Sequence, residues 1–146
     1  MLDRYGFGIA VGTLFLLLAG GAQASTTVNV ALEDPTTNSS VKHMEIRPDR
    51  TSVPAGQVTF DVKNESKSLV HEMIVVKSQL PASALPYDKK KDEVEENKIQ
   101  SLGEVSELQP GKSGTLTIDM KPGAYALLCN QPGHMHNGMW VRFEVR

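Results

Sequence analysis

Hydrophobic and polar residues alternate with a period of two over much of the chain after residue 25. The clearest examples are the segments QVTFDV, GTLTIDM and WVRFEVR, in which every second side chain is apolar. Such alternation is typical of a strand with one face in the core and one in solvent. Four further segments are strand candidates: TVNVAL, KHMEIRP, LVHEMIVVK and AYALLCN. Turn residues separate these segments, so the pattern predicts an all-β antiparallel sandwich of six to eight short strands.

One segment interrupts this alternation. Residues 85–108, LPYDKKKDEVEENKIQSLGEVSEL, are rich in Lys and Glu and have no period of two. Val94, Ile99 and Leu102 could line one side of a short helix, so we interpret the segment as a charged, partly helical excursion between two strands. Its charges most simply form a solvated face, and a docking surface for a charged partner is the alternative.

The first 24 residues differ in character from the rest. They have a short polar start with Arg4, an apolar stretch from residue 6 to about residue 19, and the ending Ala22-Gln23-Ala24. This layout is typical of a secretory signal peptide, and the apolar stretch is shorter than the ~20 residues that a membrane span requires. We expect residues 1–24 to be cleaved, with an uncleaved anchor as the alternative. Residues 25–146 would then form one exported, periplasmic, monomeric domain without a membrane span.

Charge and cysteine content narrow the classes of function. Lys and Arg total 15 against 17 Asp and Glu, and the sequence has no basic patch, which argues against nucleic-acid binding. The chain has a single cysteine. Cysteines of exported proteins normally pair, but this one cannot pair within the chain. It is therefore buried and inert, bonded to another chain, or held as a thiolate by a metal.

The soft donors of the chain are concentrated in residues 129–139, CNQPGHMHNGM. Cys129 ends one predicted strand and Met139 begins the next, and alternation directs both side chains toward the space between the sheets. His134 follows a Pro-Gly turn between them. The spacing is Cys-x4-His-x4-Met, and Met135 and His136 are possible additional donors.

A fourth donor must come from elsewhere, and His71 is suitable because its same-face neighbours Met73 and Val75 are apolar. Two imidazoles, a thiolate and a weak axial thioether form the arrangement that holds one blue, or type 1, copper ion. Cysteine and histidine alone would also suit zinc, but the methionine favours copper.

The segment PGAYALLCNQPGHMHNGM resembles the copper loop of the cupredoxins. VPAGQVTFDVKNESKSLVHEM resembles the strand pair that delivers the first histidine ligand of that family. GKSGTLTIDMKPGAYALLC resembles the approach to the cysteine, with Tyr125 at the strand corner. The resemblance implies a Greek-key β-sandwich and electron transfer through type 1 copper. It assigns four ligands: His71, Cys129, His134 and Met139.

The chain departs from the family pattern at two places. Glu72 follows the first histidine, where the family often has Asn or Ser, and Met135 and His136 stand beside His134. His136 therefore offers a competing ligand, although the simpler interpretation of His136 and Met135 is that they are exposed loop residues.

Two functions follow from these residues. The first is a one-electron carrier that acts with redox partner proteins. The alternative is a periplasmic copper chaperone, sequestration or resistance protein that exchanges copper with donor and acceptor proteins, because spare soft donors stand beside the site. An enzyme is not expected, because a Cys-His nucleophile pair would need a third orienting group and none is evident.

Overall fold

The computed structural model describes residues 25–146, and the signal peptide predicted for residues 1–24 lies outside the described residues. Two β-sheets pack face to face in this part of the chain. The strands are β1 (Thr26–Glu33), β2 (Glu45–Pro48), β3 (Ser52–Val53), β4 (Gly56–Asn64), β5 (His71–Lys77), β6 (Tyr87–Asp88), β7 (Glu93–Val94), β8 (Gln100–Leu108), β9 (Ser113–Met120), β10 (Gly123–Leu128) and β11 (Trp140–Val145).

The strand order is β2-β1-β4-β9 in one sheet and β3-β11-β10-β5-β8 in the other, and β6 and β7 form a separate hairpin. This confirms the predicted all-β sandwich. The pairing is not purely antiparallel, however, because β1 pairs with β4 and β3 with β11 in parallel. β2 and β3 lie between β1 and β4 in sequence and belong to different sheets. The chain therefore crosses between the sheets, which allows a parallel return that a hairpin cannot make.

The apolar positions of the alternating segments meet between the sheets. Phe60 of β4 and Phe143 of β11 are fully buried and make an edge-to-face contact, with ring centroids 5.4 Å apart. Each such buried side chain contributes roughly 1.5–3 kcal/mol to the stability of the fold. The Tyr125 hydroxyl donates a hydrogen bond of 2.7 Å to the carbonyl of Lys121, which fixes the turn before β10.

The charged excursion contains less helix than the sequence predicts. Its helical part is limited to the 3-10 turn Glu96–Lys98. A second 3-10 turn, Ala82–Ala84, lies directly before the excursion. The prediction that Val94, Ile99 and Leu102 line one side of a short helix is wrong, because Val94 lies in β7 and Leu102 lies in β8, which pairs with β5. The pairing has register shifts at two points along β5. Irregular pairing of this kind disrupts strict alternation, which is why β8 shows no period of two in the sequence.

A second apolar cluster lies on the outer face of the β5–β10 sheet. It contains Ile74, Val76 and Leu128 from the strands, with Ala82, Leu85, Val94 and Met135 from the connecting segments. Trp140 of β11 is partly buried and packs against this cluster. Within residues 25–146, no helix has the length and apolar character needed to cross a membrane.

Candidate metal centre

Three of the predicted ligands meet at one end of the sandwich. His71 is the first residue of β5, Cys129 directly follows β10, and His134 lies in the loop between β10 and β11. One ligand atom from each of these side chains lies within 4.8 Å of the others. His71 and Cys129 are fully buried, and His134 is partly exposed. The group is thus open to solvent only on the side of His134.

The spacing of the three donor atoms suits one metal ion. The Nδ1 atoms of His71 and His134 are 3.1 Å apart, and Cys129 Sγ is 3.4 Å from His134 Nδ1. Metal–nitrogen bonds of about 2.0 Å and metal–sulfur bonds of about 2.3 Å would place donors in a trigonal plane roughly 3.5 Å apart. Small movements of these side chains would therefore admit an ion between them.

Met139, the fourth predicted ligand, lies next to this group. Its side chain is fully buried in the same core cluster as Cys129. Its carbonyl accepts a hydrogen bond of 3.0 Å from the Cys129 N–H, and its N–H donates one of 3.1 Å to the His134 carbonyl. The backbone thus ties the three loop residues together, and ligation by Met139 stays a prediction.

The two possible additional donors have other surroundings. Met135 is buried in the outer apolar cluster. The Nδ1 of His136 is 3.2 Å from a carboxylate oxygen of Asp92, and its ring lies 4.1 Å from the ring of Tyr87, centroid to centroid. These contacts occupy both side chains, and a role for either as a ligand stays a prediction.

Burial keeps the three donor side chains uncharged in the metal-free protein. It raises the pKa of the Cys129 thiol to about 12, even though the Glu72 N–H donates a hydrogen bond to Sγ. Burial also lowers the pKa of His71 and of His134, so both imidazoles are neutral at pH 7. Neutral imidazoles are ready to bind a metal, whereas the thiol must lose its proton to do so.

Asp34 contacts this site, and the sequence did not reveal it. It directly follows β1, is fully buried, and has a carboxylate oxygen 2.8 Å from Nε2 of His71. Burial alone would raise the pKa of this carboxyl, but hydrogen bonds from Ser66, Thr36 and His71 outweigh that effect and lower it to about 2. The only sequence signal is the Asp-Pro-Thr turn, which marks a loop but does not indicate what the loop touches.

Glu72 and Asn130, the residues that follow two of the candidate ligands, are also joined. The Asn130 N–H donates a hydrogen bond of 3.0 Å to the buried carboxylate of Glu72. Burial raises the pKa of Glu72, and the charges of Glu104 and Glu96 raise it further. Glu72 therefore links the segment that carries His71 to the segment that carries Cys129.

The hairpin of β6 and β7 holds the ligand loop from outside. The Asn130 side chain accepts a hydrogen bond of 2.6 Å from the Val94 N–H and donates to the Val94 carbonyl at 3.0 Å and the Glu96 carboxylate at 2.8 Å. The Gly133 N–H donates to the Asp92 carbonyl at 2.8 Å. The excursion thus braces both ends of the turn that presents His134.

Comparison with known proteins agrees with this geometry. Residues 8–141 match the family model described as a cupredoxin-like domain. Among solved structures, reduced auracyanin from Roseiflexus castenholzii is 25% identical, with coverage of 85% of this chain and 99% of that one and a TM-score of 0.61.

Two other solved structures share the fold. Auracyanin A, described as a "blue" copper protein from Chloroflexus aurantiacus, is 20% identical, with 84% and 100% coverage and a TM-score of 0.62. Reduced rusticyanin is 19% identical, with 86% and 81% coverage and a TM-score of 0.62. No curated protein sequence matches the chain.

Proposed function

Because this chain belongs to the cupredoxin-like family, we propose that it is an exported one-electron carrier with a type 1 copper site. The observation that carries the proposal is the convergence of two imidazole nitrogens and one thiol sulfur within 4.8 Å. The cofactor is one copper ion. Histidine and cysteine donors in this combination suit copper that changes oxidation state, and His71, Cys129, His134 and Met139 would hold the ion.

When bound, copper supplies the reversible one-electron step, and the protein residues set its surroundings. Fully buried His71 and Cys129 exclude water from one side. The bonds from Asn130 to Glu72 and to Val94 hold the ligand segments in place. A braced site changes shape little when the metal changes charge, which favours fast transfer. Partly exposed His134 would then give redox partner proteins the shortest route to the metal.

We further propose that the protein is exported and that it is not an enzyme. The signal-peptide pattern of residues 1–24 supports a periplasmic location. Cell fractionation of the full chain should recover the mature protein, beginning near Ser25, outside the cytoplasm. Recovery of uncleaved protein in the cytoplasm would contradict export without affecting the metal site.

The copper proposal is tested by the visible spectrum during titration of residues 25–146 with Cu(II). We expect an intense thiolate-to-copper band that saturates at one equivalent and then bleaches and returns with reductant and oxidant. Cys129→Ser should abolish the band, whereas His43→Ala, a change at an exposed histidine, should keep it. A band that survives Cys129→Ser would refute the assignment.

Copper transfer is the second candidate function, and one observation favours it. The ring of exposed His43 lies 3.6 Å from the ideal Cβ position of Gly138, so a spare imidazole stands beside the ligand loop. A chaperone would pass Cu(I) to a chelating acceptor within seconds and would lose this rate in His43→Ala. Slow transfer together with stable redox cycling would support the carrier instead.

A further inference from the structure

The buried pair formed by Asp34 and His71 extends the site beyond its donors. Both side chains have no exposed surface, and Asp34 Oδ2 lies 2.8 Å from His71 Nε2. The two residues are 37 positions apart in sequence. Burial of such a pair costs folding free energy unless the remaining polar atoms of both groups are also hydrogen-bonded.

The carboxylate is held by its own turn. The Thr36 N–H donates a hydrogen bond of 2.6 Å to Oδ1 of Asp34, and the Asp34 N–H donates one of 3.2 Å to the Thr37 hydroxyl. The Thr36 hydroxyl is in turn 3.0 Å from the Ser66 hydroxyl, in the segment just before β5. These contacts orient the second carboxylate oxygen toward His71.

This arrangement fixes where the proton of His71 is. An ionised carboxylate can only accept hydrogen bonds, so Nε2 of the neutral imidazole must carry the proton. Nδ1 then has a free lone pair, and it faces Nδ1 of His134 at 3.1 Å. His71 is therefore presented to the metal position with the correct nitrogen unprotonated.

We propose that Asp34 is a positioning residue that holds His71 in the Nε2–H tautomer, and that its negative charge lowers the reduction potential of the copper. The inference rests on the proposed copper function. A carboxylate that accepts from the outer nitrogen of a ligating histidine orients the ring and makes it a stronger electron donor. A buried negative charge also favours Cu(II) over Cu(I), and protein of low dielectric screens it weakly.

The test compares two changes at Asp34 with a matched control. Asp34→Asn removes the charge but keeps an oxygen that can accept from Nε2, whereas Asp34→Ala removes both. Asp119→Asn is the control. It removes one carboxylate from the exposed face of β9, near the end of that strand that pairs with Gly56 and Gln57. The readouts are the reduction potential by voltammetry and the protonation of the His71 nitrogens by 15N NMR of the metal-free protein.

We expect both Asp34 variants to have a higher reduction potential than the wild type, by several times any shift in Asp119→Asn. Asp34→Asn should keep the His71 tautomer and the intensity of the visible band. Asp34→Ala should give a mixture of tautomers and about 10- to 100-fold weaker copper affinity. A purely structural role in the turn would leave the potential of Asp34→Asn equal to that of the control.

Two results would overturn the inference. One is a potential of Asp34→Asn that matches the control, and the other is a proton on Nδ1 of His71 in metal-free wild type. The second measurement needs no variant, so it decides the tautomer even if the Asp34 variants do not fold. A wild type without the intense band would instead refute the copper function, and the NMR result would still decide the tautomer.

Discussion

The backbone N–H of Glu72 lies 3.5 Å from Sγ of Cys129 and donates a hydrogen bond to it. In the opposite direction, the N–H of Asn130 donates to the Glu72 carboxylate at 3.0 Å. β5 and the end of β10 are thus joined by two bonds directly beside the candidate ligands. The acidic side chain at position 72 therefore takes part in this link.

Replacement of Glu72 should separate its charge from its bracing role. Glu72→Ala leaves the buried Asn130 N–H without an acceptor, so we expect the free energy of unfolding of the metal-free domain to fall by about 1–3 kcal/mol. Glu72→Gln keeps an oxygen acceptor and should lose less. Urea denaturation monitored by Trp140 fluorescence measures both values. Exposed Glu144→Ala is the control, with an expected change within about 0.5 kcal/mol. Equal losses for Ala and Gln at position 72 would contradict the bracing role.

The link between the hairpin and the ligand loop depends on Asn130. In Asn130→Ala the buried Val94 N–H loses its acceptor, and we expect the domain to be destabilised by about 2 kcal/mol. Hydrogen exchange of the Val94 amide should accelerate more than that of amides in the central strands, because the hairpin would open locally. Asn97→Ala, at an exposed position of the same segment, is the matched control. Unchanged protection of the Val94 amide would show that the hairpin does not need this contact.

Regular alternation made most of the fold predictable. β4, β9 and β11 pack one face on the core and expose the other, and the sequence has the corresponding period of two. β8 was missed because its register shifts against β5 disrupt that period. β6 and β7 are only two residues long each, too short for any periodicity to indicate them.

Part of the candidate site could likewise be predicted from the sequence, and part could not. The positions of Cys129 and His134 could be predicted because one strand and its following loop bring them together within five residues. His71 could be placed from the apolar character of its strand, and the structure brings it to the other two. The contact of His71 with Asp34 could not be predicted, because it spans 37 residues and depends on how two loops meet. A polar turn in a sequence gives no information about its distant partners.

Gly138, directly before Met139, is required by both conformation and space. Its φ is +97°, and a Cβ there would lie 3.1 Å from the Met44 carbonyl oxygen. Gly111 has a φ of +74° but open space around it, so it separates the two effects. We expect Gly111→Ala to destabilise the domain by about 1 kcal/mol and Gly138→Ala by about 2–3 kcal/mol in thermal unfolding. Equal losses would mean that the backbone near Met44 can move aside.

Access to Cys129 in the metal-free protein should be controlled by His134. The thiol is fully buried, and the partly exposed ring of His134 lies 3.4 Å from Sγ on the solvent side. We expect an uncharged alkylating reagent to modify native Cys129 at least about 100-fold more slowly than the urea-unfolded chain, because reaction requires local opening. Mass spectrometry over time measures both rates.

Two loop variants test this control of access. His134→Ala removes the ring that covers Sγ and should accelerate alkylation of the native protein about 10-fold or more, since less of the structure must open. His136→Ala removes a histidine of the same loop that contacts Asp92 and Tyr87 instead, so the rate should stay close to that of the wild type. If both variants react equally fast, the loop as a whole opens, and the His134 ring is not the barrier between Cys129 and solvent.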